Sequence, residues 1–172
     1  MKVLVFVKAT PNSEKGIPAP TEKLTQMFED MGKFNEKLVK AGVMREADGL
    51  KPSSFAKRLK FSDKGFTAVI DGPFAETKEL VAGYWIWNVK SMDEALEWAK
   101  QCPNPMPGEE GVIEIRPTYS IEDFDDLATP EIRTRNERLD KEMARQQKKR
   151  KKAKQEAKRP ARRKPGRAKS KK

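Results

Sequence analysis

The sequence predicts an α+β domain in which one antiparallel sheet carries its helices on a single face. Three observations support this fold class: short runs of β-branched and aromatic residues, two segments with apolar residues at helical spacing, and turn residues between these stretches. Several strands separate the two helical segments, rather than strands and helices alternating one by one. This order is typical of antiparallel α+β domains.

The first half of the chain is predicted to form a strand, a helix and a hairpin. Residues 3–7 are apolar throughout and indicate a buried strand. After a proline-containing loop, Thr21 is suited to cap a helix that ends at Gly42. Residues 56–61 and 66–70 are rich in β-forming side chains and flank a short turn with glycine, which predicts a hairpin. The predicted helix has one apolar face, formed by Leu24, Met27, Phe28, Met31, Phe34 and Leu38.

Residues 80–89 form the longest predicted strand. Because side chains alternate along a strand, Trp85 and Trp87 fall on one face and Tyr84 and Ile86 fall on the other. Both faces therefore carry large apolar groups, which predicts a central strand that is covered on both sides.

A second helix and a last strand complete the predicted domain. Ser91, with Glu94 three residues later, forms a capping-box pattern, and Pro103 ends the helix that it opens. Residues 112–116 alternate between apolar and charged side chains and form the last strand. The order of elements indicates a ferredoxin-like sheet with helices on one face only. The other face would expose aromatic side chains, so we expect two copies to pack sheet against sheet in a symmetric homodimer.

Charge and composition divide the chain into three predicted regions. Residues 1–120 form the folded domain, and residues 121–147 form an acidic linker with a peripheral helix that starts near Pro130. Residues 148–172 form a Lys/Arg-rich tail, and the net charge of +11 comes from this end of the chain. The tail has no hydrophobic residue larger than alanine, so it cannot offset the entropy of ordering the chain and is predicted to be disordered.

The basic tail is predicted to bind DNA or RNA without sequence preference. A dense block of cations attracts polyanions by releasing their counterions. The alternative is a tail that only increases solubility, and the absence of aromatic residues excludes base stacking. The candidate nucleic-acid-binding residues are Lys148, Lys149, Arg150, Lys151, Lys152, Arg162, Arg163 and Lys164.

The rest of the composition excludes several classes of protein. The single cysteine, Cys102, rules out an intramolecular disulfide framework and fits a reducing compartment. The apolar run at residues 3–7 is too short for a signal-peptide core, and no segment has the ~20 apolar residues that span a bilayer. We therefore expect a cytoplasmic protein with no membrane partner. There is no metal-ligand spacing, Gly-rich phosphate loop or nucleophile–base pair, so neither a metal nor a cofactor is expected.

Several segments resemble the DGPF-domain branch of the YCII-related family. The signature Asp-Gly-Pro-Phe stands at residues 71–74 and opens the charged segment 71–79. The similarity continues through the aromatic strand at residues 83–87 and the helix at residues 91–102, and it covers roughly residues 1–140. The resemblance implies a dimeric α+β barrel made of two ferredoxin-like protomers. Better-studied members of the family carry a His–Asp pair proposed to be catalytic, but this chain has no histidine, so that role does not transfer.

Asp71 opens the DGPF turn and is the candidate catalytic residue. Its carboxylate either accepts turn N–H groups in an Asx-turn or acts as an acid/base in a pocket between the sheet and the helices. Other charged residues either form solvated faces or line that pocket, where an arginine would pair with a small anionic ligand. These candidate ligand-binding residues are Lys8, Arg58, Glu76, Lys78, Glu114 and Arg116.

Two functional hypotheses follow from the sequence. The first is a small homodimeric domain with a ligand-binding or accessory role, whose tail binds nucleic acid. The second is an enzyme that acts on a small polar substrate in the barrel pocket, with Asp71 as the acid/base and an arginine as an anion clamp.

Overall fold

The structure is a computed structural model that describes residues 1–124 and 127–157, with the side chains of Lys78 and residues 151–157 outside the description. The chain divides into two units, Met1–Thr118 and Tyr119–Lys172. The part of the predicted disordered tail beyond residue 157 lies outside the described residues.

The first unit is built on a four-stranded antiparallel sheet. Its strands are β1 (Lys2–Lys8), β2 (Met44–Gly49), β5 (Val81–Asn88) and β6 (Ile113–Pro117), in the spatial order β2-β5-β1-β6. The central position of β5 and the ferredoxin-like α+β class are as predicted. Strand β2 was not predicted, because its sequence MREADG is polar and ends in an Asp-Gly pair that is typical of turns.

Helices α1 (Glu22–Lys40) and α2 (Met92–Ala99) pack on one face of this sheet, as predicted. Each begins at the predicted cap: Thr21 Oγ1 accepts from the backbone N–H of Leu24, and Ser91 Oγ accepts from that of Glu94, both at 3.2 Å. The chain leaves α1 at Gly42, whose φ of 72° is a conformation that glycine adopts without strain.

The hydrophobic core lies between the sheet and the helices. Val5, Trp85 and Trp87 point from the central strands into this layer, where Phe34 and Leu38 of α1 meet them. The ring of Phe34 contacts both indoles edge-on, with centroid distances of 6.4 Å to Trp85 and 6.3 Å to Trp87. Leu38 and Trp87 are fully buried, so this end of α1 is firmly fixed to the sheet.

Within the first unit, no element covers the opposite face of the sheet. Its centre carries the half-buried apolar side chains of Leu4, Phe6 and Ile86. Beside them, Tyr84 donates its hydroxyl to Glu46 Oε1 at 2.8 Å. Only one face of β5 is therefore covered within the first unit, although the sequence predicted a strand covered on both faces.

The predicted hairpin is present and forms a separate two-stranded sheet. Its strands are β3 (Lys57–Ser62) and β4 (Gly65–Asp71). One face of the hairpin is apolar and more than half exposed, and it consists of Leu59, Phe61, Phe66 and Val69.

The second unit contains helix α3 (Pro130–Ala157), which starts at Pro130 as predicted. Thr129 Oγ1 accepts from the backbone N–H of Ile132 at 3.4 Å. The helix continues past Lys148, where the sequence predicted disorder to begin. Lys, Arg, Gln, Glu and Ala favour helix strongly, so propensity extends α3 into a stretch that has no core to bury. Among the described residues, no helix is both long and apolar enough to cross a membrane.

Candidate functional site

A pocket of about 760 Å³ opens in the first unit, on the helix-covered side of the sheet. Its walls are the N-terminal half of α1, the adjoining ends of β2 and β5, and two loops at residues 12–18 and 105–109.

The pocket exists because only one half of the apolar face of α1 finds a partner. Leu24, Met27, Phe28 and Met31 belong to that face, yet none is buried, and all four line the pocket. The sequence predicted a single continuous apolar face, whereas the structure buries only its C-terminal part. The residues opposite the N-terminal half of α1 are Ala47, Gly49 and Gly83 of β2 and β5. They are too small to fill the space under the helix.

One polar side chain interrupts the apolar wall formed by α1. Asn35 lines the pocket, and its Oδ1 accepts a hydrogen bond from Nε1 of Trp85 at 2.9 Å. Trp85 is only 5% exposed, so this hydrogen bond forms at the edge of the core.

The carboxylate of Glu109 connects the two loops at the rim of the pocket. Glu109 Oε2 accepts from Thr10 Oγ1 at 2.7 Å, and its Oε1 accepts from Asn12 Nδ2 at 2.9 Å. Asn12 Oδ1 in turn accepts from Lys15 Nζ at 2.8 Å. The loop after β1 is thereby held against the loop before β6.

A second network links the rim to the DGPF turn. Glu14 Oε2, which lines the pocket, accepts from the backbone N–H of Ser53 at 2.9 Å and also from the Ser53 hydroxyl. The backbone N–H of Phe74 donates to the same hydroxyl oxygen at 3.2 Å. Ser53 is 6% exposed and joins the two segments in the protein interior.

The DGPF turn itself is fixed by backbone contacts rather than by its carboxylate. Gly72 donates its N–H to the carbonyl oxygen of Ala56 at 3.1 Å, and the Gly72–Pro73 peptide bond is cis. The guanidinium of Arg58 lies 3.9 Å from the centroid of the Phe74 ring, a cation–π contact. Together these contacts anchor the base of the hairpin to the rim of the pocket.

Asp71 neither lies in the pocket nor forms an Asx-turn, which were the two alternatives given by the sequence. Its side chain is 73% exposed, does not line the pocket, and forms an ion pair with Lys57 across the hairpin. The N–H groups of Gly72 and Phe74 are bonded to Ala56 and Ser53, so the expected Asx-turn is not formed either.

Three of the predicted ligand-binding residues lie on the open face of the sheet, away from the pocket. Lys8 Nζ is 3.6 Å from Glu114 Oε2, and Arg116 Nε donates to the other oxygen of the same carboxylate. The hydrogen bond from Arg116 holds the pKa of Glu114 below its ordinary value, and the positive charge of Lys8 adds to this effect. The structure therefore brings Lys8, Glu114 and Arg116 together, but as an ion-pair cluster.

The other predicted ligand-binding residues are not brought together. Arg58 stacks on Phe74, and Glu76 is exposed near the start of β5. The side chain of Lys78 lies outside the description.

Part of the predicted nucleic-acid-binding segment can be placed. Lys148, Lys149 and Arg150 are exposed on α3. The backbone of Lys151 and Lys152 continues the same helix, and their side chains are outside the description. Arg162, Arg163 and Lys164 lie outside the described residues.

Within the described part of the chain, no group of His, Cys, Asp or Glu side chains is arranged to hold a metal ion. Burial raises the pKa of the Cys102 thiol to about 11. Its Sγ lies 3.3 Å from the carbonyl oxygen of Pro103, to which the S–H donates. The thiol is therefore protonated at neutral pH and is a poor nucleophile.

Three of the residues at this site, Asn35, Ser53 and Glu109, were not predicted from the sequence. Asn35 had a detectable signal, because it stands four residues after Met31 and would share the apolar side of the helix with it. Ser53 and Glu109 left no such signal, since each meets its partners through loops that are far apart in the sequence.

Comparisons with known proteins identify the family. An uncharacterised protein of Rhizobium meliloti (strain 1021) is 38% identical over 96 residues, which cover 56% of this chain and 76% of the relative. A solved structure of 5-chloro-2-hydroxyhydroquinone dehydrochlorinase from Burkholderia phenoliruptrix AC1100, in complex with 2,5-dihydroxybenzoquinone, aligns with 71% of this chain and 98% of its own, at a TM-score of 0.38 and 14% identity. The family model of the YCII-related domain matches residues 1–122. The chain therefore belongs to the YCII-related family, as its DGPF segment predicted.

Proposed function

We propose that this protein is a homodimeric small-molecule-binding domain whose ligand occupies the pocket beside α1, and whose basic C-terminal region binds nucleic acid. Ligand binding is supported by the apolar N-terminal half of α1, which is not buried. Met27 and Met31 face an unfilled space, whereas Phe34 and Leu38 on the same helix are buried. Apolar side chains are left facing a space of this size at an energetic cost, which a ligand would remove.

The size and chemistry of the pocket fit a small organic ligand. Its volume of about 760 Å³ lies within the range of roughly 300–1,000 Å³ that is common for ligand sites. Methionine and aromatic walls favour an apolar body, because thioether and indole groups are polarizable and adapt to ring systems. Lys15 and Lys51 stand at the rim, so a ligand with an anionic group would meet a positive charge there.

The predicted homodimer is supported by the open face of the sheet. Leu4, Phe6 and Ile86 form an apolar centre on that face, and no element of the same unit covers it. Pairing two such faces about a two-fold axis would remove this surface from water, as two packed sheets do in sandwiches and barrels.

Native mass spectrometry of the purified 172-residue chain tests the homodimer and the bound ligand. We expect a species of twice the 19.6 kDa chain mass, with additional mass that disappears under denaturing conditions. Phe6→Lys should yield monomer because it places a charge in the apolar centre of the interface. Val39→Lys is the matched control, since Val39 is 56% exposed on α1. A monomeric wild-type protein would contradict the dimer and leave the pocket intact as a proposal.

The geometry gives less support to an enzyme that uses Asp71 as its acid/base. Asp71 is exposed on the hairpin, and the two candidate clamp residues, Arg58 and Arg116, are engaged with Phe74 and Glu114. The carboxylates that do line the pocket are Glu14, Asp48 and Glu109. An enzymatic function of this pocket would therefore use different residues from those expected.

Nucleic-acid binding is proposed for the C-terminal basic region. Lys148, Lys149 and Arg150 are exposed on α3, and the sequence beyond them is almost entirely cationic or neutral. Such a segment binds phosphates by counterion release, with little sequence preference.

Neutralising residues 148–152 to glutamine should weaken binding to duplex DNA and lower its salt dependence. The slope of log K against log salt is expected to fall by about 0.9 for each phosphate contact that is lost. Fluorescence anisotropy across a salt series measures this slope. The matched control neutralises five exposed lysines of the first unit and should have little effect, and equal slopes for the two variants would contradict the proposal. The control positions are Lys23, Lys33, Lys37, Lys40 and Lys90.

A further inference from the structure

We infer that Asn35 is the residue that orients the ligand, by donating its side-chain amide to an oxygen acceptor on an otherwise apolar molecule. A carbonyl, carboxylate or phenolate oxygen would serve as the acceptor. This inference rests on the proposed ligand-binding function of the pocket and assigns its specificity.

The orientation of the Asn35 amide is fixed by Trp85. The indole Nε1 can only donate a hydrogen bond, so the amide must present its oxygen to it, as observed at 2.9 Å. The amide nitrogen is then directed away from the indole. Reversing the amide would place two donors against each other at a side chain that is 5% exposed, which is strongly unfavourable.

The amide nitrogen of Asn35 is available for a ligand. Within the described part of the chain it has no hydrogen-bond partner, while the oxygen is engaged. In the empty pocket, water can accept from this nitrogen. A ligand that fills the pocket displaces that water and must supply an acceptor, or the donor stays unsatisfied.

The surroundings of Asn35 make this single donor selective. Met31, one turn away on α1, and Trp85 on the sheet are apolar lining residues. The charged groups of Lys15 and Lys51 belong to exposed rim residues and retain water whether or not a ligand is present. The other uncharged side-chain donors that line the pocket are engaged within the protein, since Asn12 donates to Glu109, Ser13 to the Thr10 carbonyl oxygen and Tyr84 to Glu46. Discrimination between uncharged ligands of equal shape therefore falls to Asn35.

Acetophenone and ethylbenzene are suitable probes, because they share a ring and nearly the same shape but only acetophenone has a carbonyl oxygen. Titrations of the full-length protein are followed by NMR, using the Asn35 side-chain amide and the Trp85 indole N–H. We expect acetophenone to bind about tenfold more tightly than ethylbenzene, which is the effect of one hydrogen bond. The Asn35 amide protons should move further downfield with acetophenone than with ethylbenzene, because only acetophenone accepts a hydrogen bond from them.

Asn35→Asp separates the two roles of the residue. The carboxylate still accepts from the Trp85 indole, whose N–H resonance reports that the local structure is intact, but it offers no donor to the ligand. The tenfold preference for acetophenone should therefore disappear. Asn88→Asp makes the same chemical change at an exposed position on β5 and should preserve the preference.

The outcomes separate this inference from the proposed function on which it rests. Equal binding of the two probes to the wild-type protein, or an unchanged preference in Asn35→Asp, would overturn the role of Asn35 and leave the pocket as a binding site. If neither probe shifts the Asn35 amide or the Trp85 indole resonance, the pocket is not a site for such molecules, and the role assigned to Asn35 is overturned as well.

Discussion

Replacing Gly72 with alanine is expected to lower the free energy of unfolding by about 3 kcal/mol. A Cβ atom at this position would lie 1.8 Å from the carbonyl oxygen of Ser53 and 2.7 Å from its carbonyl carbon. These are backbone atoms, so they cannot rotate aside as the end of a flexible side chain would. The turn would have to move away from Ser53, and the hydrogen bond from Phe74 N–H to Ser53 Oγ would be lost.

Urea denaturation followed by tryptophan fluorescence measures this effect in the first unit, since all three tryptophans lie between residues 85 and 98. A lower midpoint with an unchanged m-value is the expected result. Gly32→Ala is the matched control, because Gly32 lies within α1 and a Cβ there meets no atom within 4 Å. That change should increase stability by about 0.5–1 kcal/mol. A Gly72→Ala protein as stable as the wild type would show that the turn is not packed against Ser53.

Leu38→Ala and Leu24→Ala should differ strongly in their effect on stability, although both remove the same atoms from the same face of α1. Leu38 is fully buried in the core, so its truncation is expected to cost about 3 kcal/mol. Leu24 lines the pocket and is only partly covered, so its truncation should cost less than about 1 kcal/mol.

The same urea experiment measures both variants, with Leu24→Ala serving as the control for the loss of a leucine from α1. The difference between the two losses in the free energy of unfolding tests whether the pocket is open. If Leu24→Ala costs as much as Leu38→Ala, the N-terminal half of the helix packs as firmly as the C-terminal half. The pocket would then be closed in solution, and the proposed ligand site would lose its principal support.

The residues of the DGPF segment show where prediction from sequence succeeds and where it does not. The segment correctly identified the family and the position of a turn before the central strand. It did not reveal that the carboxylate of Asp71 faces solvent while Gly72 packs on Ser53. A turn motif specifies local backbone geometry, but its contacts depend on a loop that lies some twenty residues earlier in the chain.

Strand β2 and the pocket illustrate the same division. Met44–Gly49 has no local pattern of a strand, and it forms one by pairing with the free edge of β5, with a register shift between Met44 and Glu46. The apolar periodicity of α1 was evident from the sequence, but periodicity does not indicate which residues of the sheet lie opposite the helix. Ala47 and Gly83 are small residues on different strands, and only the folded sheet places them beneath Met31 and its neighbours.

The sequence by itself determined the elements whose signals are local: the caps at Thr21 and Ser91, the aromatic central strand, the hairpin and the family. The tertiary structure alone decided which apolar residues of α1 are core and which line the pocket, and that Asn35 rather than Asp71 faces it. The physical reason is the distance along the chain over which each interaction acts. Caps and strand alternation arise within a few residues, whereas a cavity is the space left between elements that meet only after the chain has folded.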